Sequence, residues 1–201
     1  MKSFVVAASF ASLAFGLAAC QSSGVQAAPA SAPVARDAPA PPTMSARERD
    51  RAEVYSALFD AEFAGSTPER SVIASETDAS AWLRLYLIAH APSYLNWKAQ
   101  VGEAFTQKHV SLGARDSSLT YISKADGNQL CQGDWSGFFA RYPDAKGVLA
   151  FSDVSFNPDA PQALVYAHRV CGEGCIYGGI YLLEKTNGQW RVTEHVEKLS
   201  S

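Results

Sequence analysis

The segment Tyr177-Gly178-Gly179-Ile180-Tyr181-Leu182-Leu183-Glu184-Lys185-Thr186-Asn187-Gly188-Gln189-Trp190-Arg191-Val192-Thr193-Glu194-His195-Val196 carries the clearest fold signal in the chain. Two runs rich in aromatic and β-branched residues flank Asn-Gly, the pair best suited to a two-residue turn with positive φ at both positions. Such a turn predicts that Lys185 faces Trp190, Glu184 faces Arg191, Leu183 faces Val192, Leu182 faces Thr193 and Ile180 faces His195. One face then collects Tyr181, Leu183, Trp190, Val192 and Val196, while Glu184 and Arg191 pair on the other. Working back toward the N-terminus, residues 162–171 and 148–157 read as two more strands. They are joined by Asn157-Pro158-Asp159-Ala160-Pro161, a turn by its residue types.

Upstream of residue 147 the period changes to that of helices. Ser45-Ala46-Arg47-Glu48 reads as a capping box, and Tyr55, Leu58, Phe59 and Phe63 continue its helix to Gly65 and Pro68. Val72-Ile73 suggests a short strand. Asp78 is expected to open a second helix with Trp82, Leu85, Tyr86 and Ala89 as its stripe; Leu83, Leu87 and Ile88 make it apolar elsewhere too, the pattern of a central helix. Pro92 stops it, because the residue before a proline avoids the helical region. Ser93 is positioned to cap a third helix bearing Tyr94, Trp97, Val101, Ala104 and Phe105. Residues 119–123 suggest a strand, and Trp135, Phe138, Phe139 and Tyr142 a short aromatic helix, read as a core wedge with a ligand-stacking platform as the alternative. The expected fold is α+β, with N-terminal helices packed on one face of a C-terminal antiparallel meander.

The first residues carry an address. Lys2, the apolar stretch 4–17 and Leu17-Ala18-Ala19-Cys20 resemble a bacterial lipoprotein signal: residues 1–19 would be removed and Cys20 would take the lipid. Residues 20–44 form an Ala/Pro-rich tether, of which 21–43 reach about 70 Å at ~3.1 Å per residue, and residues 45–201 a single domain. Gln21 in place of Asp resembles an outer-membrane destination facing the periplasm. The membrane, reached through Cys20, is the first expected partner and an envelope protein the second. A formal charge of −3 over 201 residues gives no electrostatic basis for a nucleic-acid partner.

An oxidising compartment sets the reading of the cysteines. With Cys20 assigned to lipid, Cys171 and Cys175, separated by Gly-Glu-Gly, are expected to bridge, leaving Cys131 as a buried thiol. The runs Trp135-Ser136-Gly137-Phe138-Phe139-Ala140-Arg141-Tyr142-Pro143, Phe151-Ser152-Asp153-Val154-Ser155-Phe156-Asn157 and Gly188-Gln189-Trp190-Arg191-Val192 resemble a pattern found in bacterial exported proteins. The likeness spans about residues 70–195 and implies a shared fold, with no activity and no catalytic residue carried by it.

Chemistry is sparse. His168, Cys171 and Cys175 combine ligand types suited to copper or zinc, but His168 and Cys171 have opposite strand parity. Gly172-Glu173-Gly174 lacks the third glycine and following helix of a nucleotide loop. His90 and His109 read as helix-end residues and His195 as a strand surface residue. Cys131 has no motif to make it a nucleophile. The residues therefore point to a non-enzymatic binding domain, of inhibitor or immunity type, acting through a sheet edge or loops, with no cofactor, metal or catalytic residue assigned. The alternatives are an enzyme with dispersed catalytic residues and a metal or thiol protein using His168, Cys171 and Cys175.

Overall fold

The computed structural model describes residues 44–65, 71–101, 106–130, 133 and 135–200. The Cys20 lipobox, the tether to residue 43, Pro68, Ala104, Phe105 and Cys131 lie outside these. The chain divides between Pro41 and Pro42, and every element described belongs to the second unit, Pro42–Ser201.

Helix α1 (Ala46–Leu58) begins on the expected capping box: Ser45 Oγ accepts from the Glu48 amide at 3.2 Å, and the Ser45 amide donates to Glu48 Oε2 at 2.9 Å. A widened turn, Phe59–Phe63, extends it, closed by the Ala64 amide donating to the Phe59 carbonyl at 2.7 Å. After β1 (Val72–Ala74) comes α2 (Ala81–His90), then β2 (Thr120–Ile122), α3 (Lys124–Leu130), α4 (Trp135–Arg141), β3 (Val148–Phe151), β4 (Ser155–Phe156), β5 (Gln162–Gly172), β6 (Cys175–Thr186) and β7 (Gln189–Ser200). The strands form one sheet in the order β2-β1-β3-β5-β6-β7, with β4 beside β5. The β5-β6-β7 meander is antiparallel as expected, while β1 runs parallel to both β2 and β3.

The α+β class holds, but the helices do not share one face. Val54, Tyr55, Leu58, Phe59 and Phe63 pack against Leu149, Val165, Tyr181, Leu183 and Trp190. Leu83 and Leu87 of α2, with Leu95, Trp97 and Val101, pack against Leu164, Tyr166, Ile180 and Leu182, the alternate residues of the same strands. Phe138 of α4 joins Val72, Ile122 and Val148. Because successive side chains of a strand leave opposite faces, a sheet apolar at nearly every position must be covered twice. Continuous runs such as Ala163 to Ala167, buried throughout, are the cause.

Other expectations are corrected locally. Residues 92–101 form turns and a single short 3-10 turn (Lys98–Gln100) rather than an α-helix. The strand expected over 148–157 is broken at Ser152-Asp153-Val154, and α3 forms where the sequence pattern suggests no helix. Asn187 and Gly188 take φ of 53° and 77°, so the turn is of the expected type, and the pairs Lys185 with Trp190, Glu184 with Arg191 and Leu183 with Val192 form. Beyond them two β-bulges shift the register: Leu182 faces Glu194, Tyr181 faces His195 and Ile180 faces Glu197. Each extra residue on β7 moves those after it to the other face. Val196 therefore packs with the α2 cluster instead of beside Trp190.

Candidate functional site

Two features of the second sheet face bear on function. The first is a cleft of about 320 Å³. Its floor is Ala74 of β1, Val148 and Ala150 of β3, and His168 and Val170 of β5, which the register sets side by side, Ala150 opposite His168 and Val148 opposite Val170. One wall is the segment from β1 to α2, bearing Glu76, Thr77, Asp78 and Ser80; the other is Ser123 with Gly127 and Leu130 of α3, closed by Trp135 at the start of α4.

Backbone pairing explains why the acidic wall holds its position. The Asp78 amide donates to the Phe151 carbonyl at 2.8 Å, and Thr77 bonds the chain at 106–108 through both backbone and hydroxyl. Asp78 Oδ1 accepts from the Ser80 amide at 2.9 Å, and Ser80 Oγ caps α2 through the Leu83 amide. Ser80, not Asp78, is thus the cap. Glu76 accepts from the Gln107 amide side chain. The His168 ring is tilted against Tyr166, centroids 5.2 Å apart, and its Nδ1 is buried with no hydrogen-bond partner among the described residues. Burial pushes the imidazole pKa down, opposed by nearby Asp78, so the ring is neutral at pH 7. A neutral imidazole offers one donor and one acceptor.

The second feature is α2 itself. Its buried side is Leu83 and Leu87, not the expected stripe. Trp82 and Leu85 are 62% and 67% exposed and Ile88 36%, so α2 is a surface helix. At 100° per residue Ile88, Ala81, Leu85, Ala89 and Trp82 form an uninterrupted apolar arc centred on Leu85, opposite the buried leucines. Trp82, Tyr86 and His90 stack in sequence along its flank, centroids 5.1 and 4.2 Å apart. His90 Nδ1 lies 2.6 Å from Glu197, and Tyr94, also 62% exposed, donates to Glu194.

The remaining sequence candidates fall elsewhere. Cys171 and Cys175 form a disulfide across the β5–β6 turn, which consumes both thiols. His168 faces the cleft, so the three residues do not converge as a metal site; among the described residues no group of three or more His, Cys, Asp or Glu side chains does. His90 ends α2 as expected. His109 is on no helix and bridges Glu76, and His195 is stacked on Tyr181 at 4.2 Å instead of standing in solvent. In the aromatic helix Phe138 alone is buried, as the wedge, while Phe139 is 37% exposed. The cleft escapes sequence reasoning because its residues come from four separate segments; strand parity alone points to it, by placing His168 with Tyr166 and Val170.

No protein-family model, curated protein or solved structure matches the chain.

Proposed function

We propose that this chain is a cell-envelope lipoprotein, anchored through Cys20 and facing the periplasm, whose folded domain binds another envelope protein without catalysis. The observation that carries the binding reading is the solvent-facing apolar arc of α2. A helix that already buries Leu83 and Leu87 has no folding reason to keep Trp82, Leu85 and Ile88 on its outer side, and exposed apolar groups arrayed on one rigid element are the usual form of a docking surface. The occupant that fits is a protein with an apolar groove and a basic rim, taking Trp82, Leu85 and Ala89 as anchors at i, i+3 and i+7.

Charge selects this partner over an anionic lipid surface. Glu194, which accepts from Tyr94, and Glu197, which faces His90, stand beside the C-terminal end of α2, where anionic headgroups are disfavoured, and Arg84 is the one arginine or lysine on the helix. Strand addition is the weaker mode. One sheet edge is β2, three residues long, and the other is β7, interrupted by two bulges and carrying Arg191, Glu194, Glu197 and Lys198.

The test is site-specific photocrosslinking from position 85 in native envelopes, alongside labelling with a palmitate analogue. The expected result is one discrete protein adduct, lost in Trp82→Asp, and lipid label lost in Cys20→Ala. Adducts only to a second copy of the chain, or only to lipid, would overturn the partner assignment, and equal labelling of the Cys20→Ala protein would overturn the anchor.

A further inference from the structure

The cleft over His168 shares no lining residue with the exposed arc of α2 and has the features of a small-molecule site. We infer that it binds a small organic cation, an amine joined to an apolar body.

Its shape sets the size. At about 320 Å³ the cavity stands at the lower end of ligand pockets. Its floor sets the body. Ala74, Val148, Ala150 and Val170 present a flat aliphatic surface, and Trp135 faces it from α4. The small side chains at 74 and 150 leave the space open, where larger strand residues would fill it as Val72 and Ile122 fill the adjoining cluster around Phe138 of α4.

Charge sets the head group. Glu76 and Asp78 are the only acidic residues among the lining residues described, no Lys or Arg is among them, and neither carboxyl belongs to an ion pair among the described residues. Both come from one wall, whose backbone is pinned to β3 and to the 106–108 segment, and each carboxylate accepts one hydrogen bond, Asp78 from the Ser80 amide and Glu76 from the Gln107 side chain, which leaves acceptor capacity for a ligand. A ligand ammonium there would gain charge-assisted hydrogen bonds, while a carboxylate would meet like charge. Trp135 places an indole, the aromatic ring best suited to a cation, in the lining of the cleft.

His168 supplies the second polar point. Its imidazole lines the cleft, while Nδ1, sealed from solvent and without a partner among the described residues, lies behind the cavity wall, so a ligand meets the rest of the ring. An apolar floor with an acid on one side and a neutral imidazole within it discriminates a cationic amphiphile from both a plain hydrocarbon and an anion.

The test uses two probes of one skeleton, 4-phenylbutylamine and 4-phenylbutyrate, titrated calorimetrically into the purified full-length protein. The amine should bind at least about tenfold more tightly than the acid, the ratio one charge-assisted hydrogen bond supplies. Asp78→Asn should lower that ratio, with Glu76 still present, and Glu76→Gln, at an exposed position, gives the same readout should the first variant fail to fold. Ala150→Leu, which fills the floor, should abolish binding of the amine. Equal or tighter binding of the acid, no heat from either probe, or a ratio unchanged in the folded charge variants would overturn the assignment. Photocrosslinking from position 85 should proceed in Ala150→Leu as in the native protein, so failure of the cleft and failure of the α2 surface are separately visible.

Discussion

The Tyr55 hydroxyl donates to the Ser152 carbonyl at 2.8 Å, joining α1 to the break between β3 and β4 across 97 residues of sequence. Ser152 offsets the loss of strand pairing at that break: its hydroxyl accepts from the Tyr166 amide at 2.9 Å and donates to the Asp153 carbonyl at 2.8 Å. Both groups are buried, and burial holds the Tyr55 phenol far above its ordinary pKa. Tyr55→Phe keeps the ring against Phe151 and strands one buried carbonyl, so it should cost about 1 to 3 kcal/mol. Urea unfolding should show a lower midpoint at unchanged slope.

At the same break Asp153, 4% exposed, accepts from Arg51 Nε at 3.0 Å and from the Val154 amide at 2.9 Å. Removing the cation leaves a buried carboxylate without its counter-charge. Arg51→Met should therefore destabilise by about 3 kcal/mol or more, and the double variant Arg51→Met/Asp153→Asn should recover part of that loss. A double-mutant cycle by chemical denaturation measures the coupling directly.

Lys185 reaches across from β6 to Asp50 at 2.5 Å and Glu53 at 3.0 Å on α1. The Lys185 ammonium holds the Asp50 carboxyl below its usual pKa, and Asp50 raises that of Lys185. A depressed carboxylate stabilises above its unfolded pKa of about 3.9 and loses that contribution as pH falls through the lower folded value; the raised lysine contributes below about 10.4 and loses it at higher pH. The groups are partly exposed, so Asp50→Asn should cost under about 1 kcal/mol at pH 7. Thermal melts of native and variant protein should converge near pH 2 and in high salt.

The Asn187-Gly188 turn requires a left-handed conformation at both residues. Gly188→Val places a β-branched side chain there and should cost on the order of 1 to 3 kcal/mol. Gly178 fails for another reason: an added Cβ would lie 2.1 Å from the Ala167 carbonyl oxygen, so Gly178→Ala forces β6 away from β5 opposite His168. It should lower the melting midpoint as well, and heteronuclear NMR should show shifts spreading along β5 instead of remaining at the turn.

Reduction of the Cys171–Cys175 disulfide, or its replacement by two serines, opens only a short loop. The chain-entropy model gives about 2 kcal/mol for five residues. Binding of a probe at His168 should be unaffected, since the imidazole faces the cleft and not the turn. Mass spectrometry of alkylated protein before and after reduction checks the bridge.

Local chemistry is legible in the sequence wherever the interaction closes within a few residues. The Ser45 capping box, the Asn187-Gly188 turn, the Cys171–Cys175 bridge and the antiparallel meander all depend on groups near one another in the chain, so residue type and spacing suffice. The side of α2 that is buried is not legible. A helix apolar all round offers two candidate stripes, and only the positions of Leu164, Tyr166, Ile180 and Leu182 decide for Leu83 and Leu87 over Trp82 and Leu85.

The same division governs the sheet and the cleft. Alternation along β6 and β7 is readable as far as Val192, because the turn sets register locally; the first bulge beyond it reverses the face of Val196, which joins the cluster under α2. The sequence alone determined that a helix-then-strand α+β domain forms and where its hairpins turn. Only the tertiary structure decided that helices cover both faces and that Glu76, Asp78, Trp135 and His168 surround one cavity, because those groups meet through β1–β3 and β3–β5 pairings that span tens of residues and leave no periodic trace in the chain.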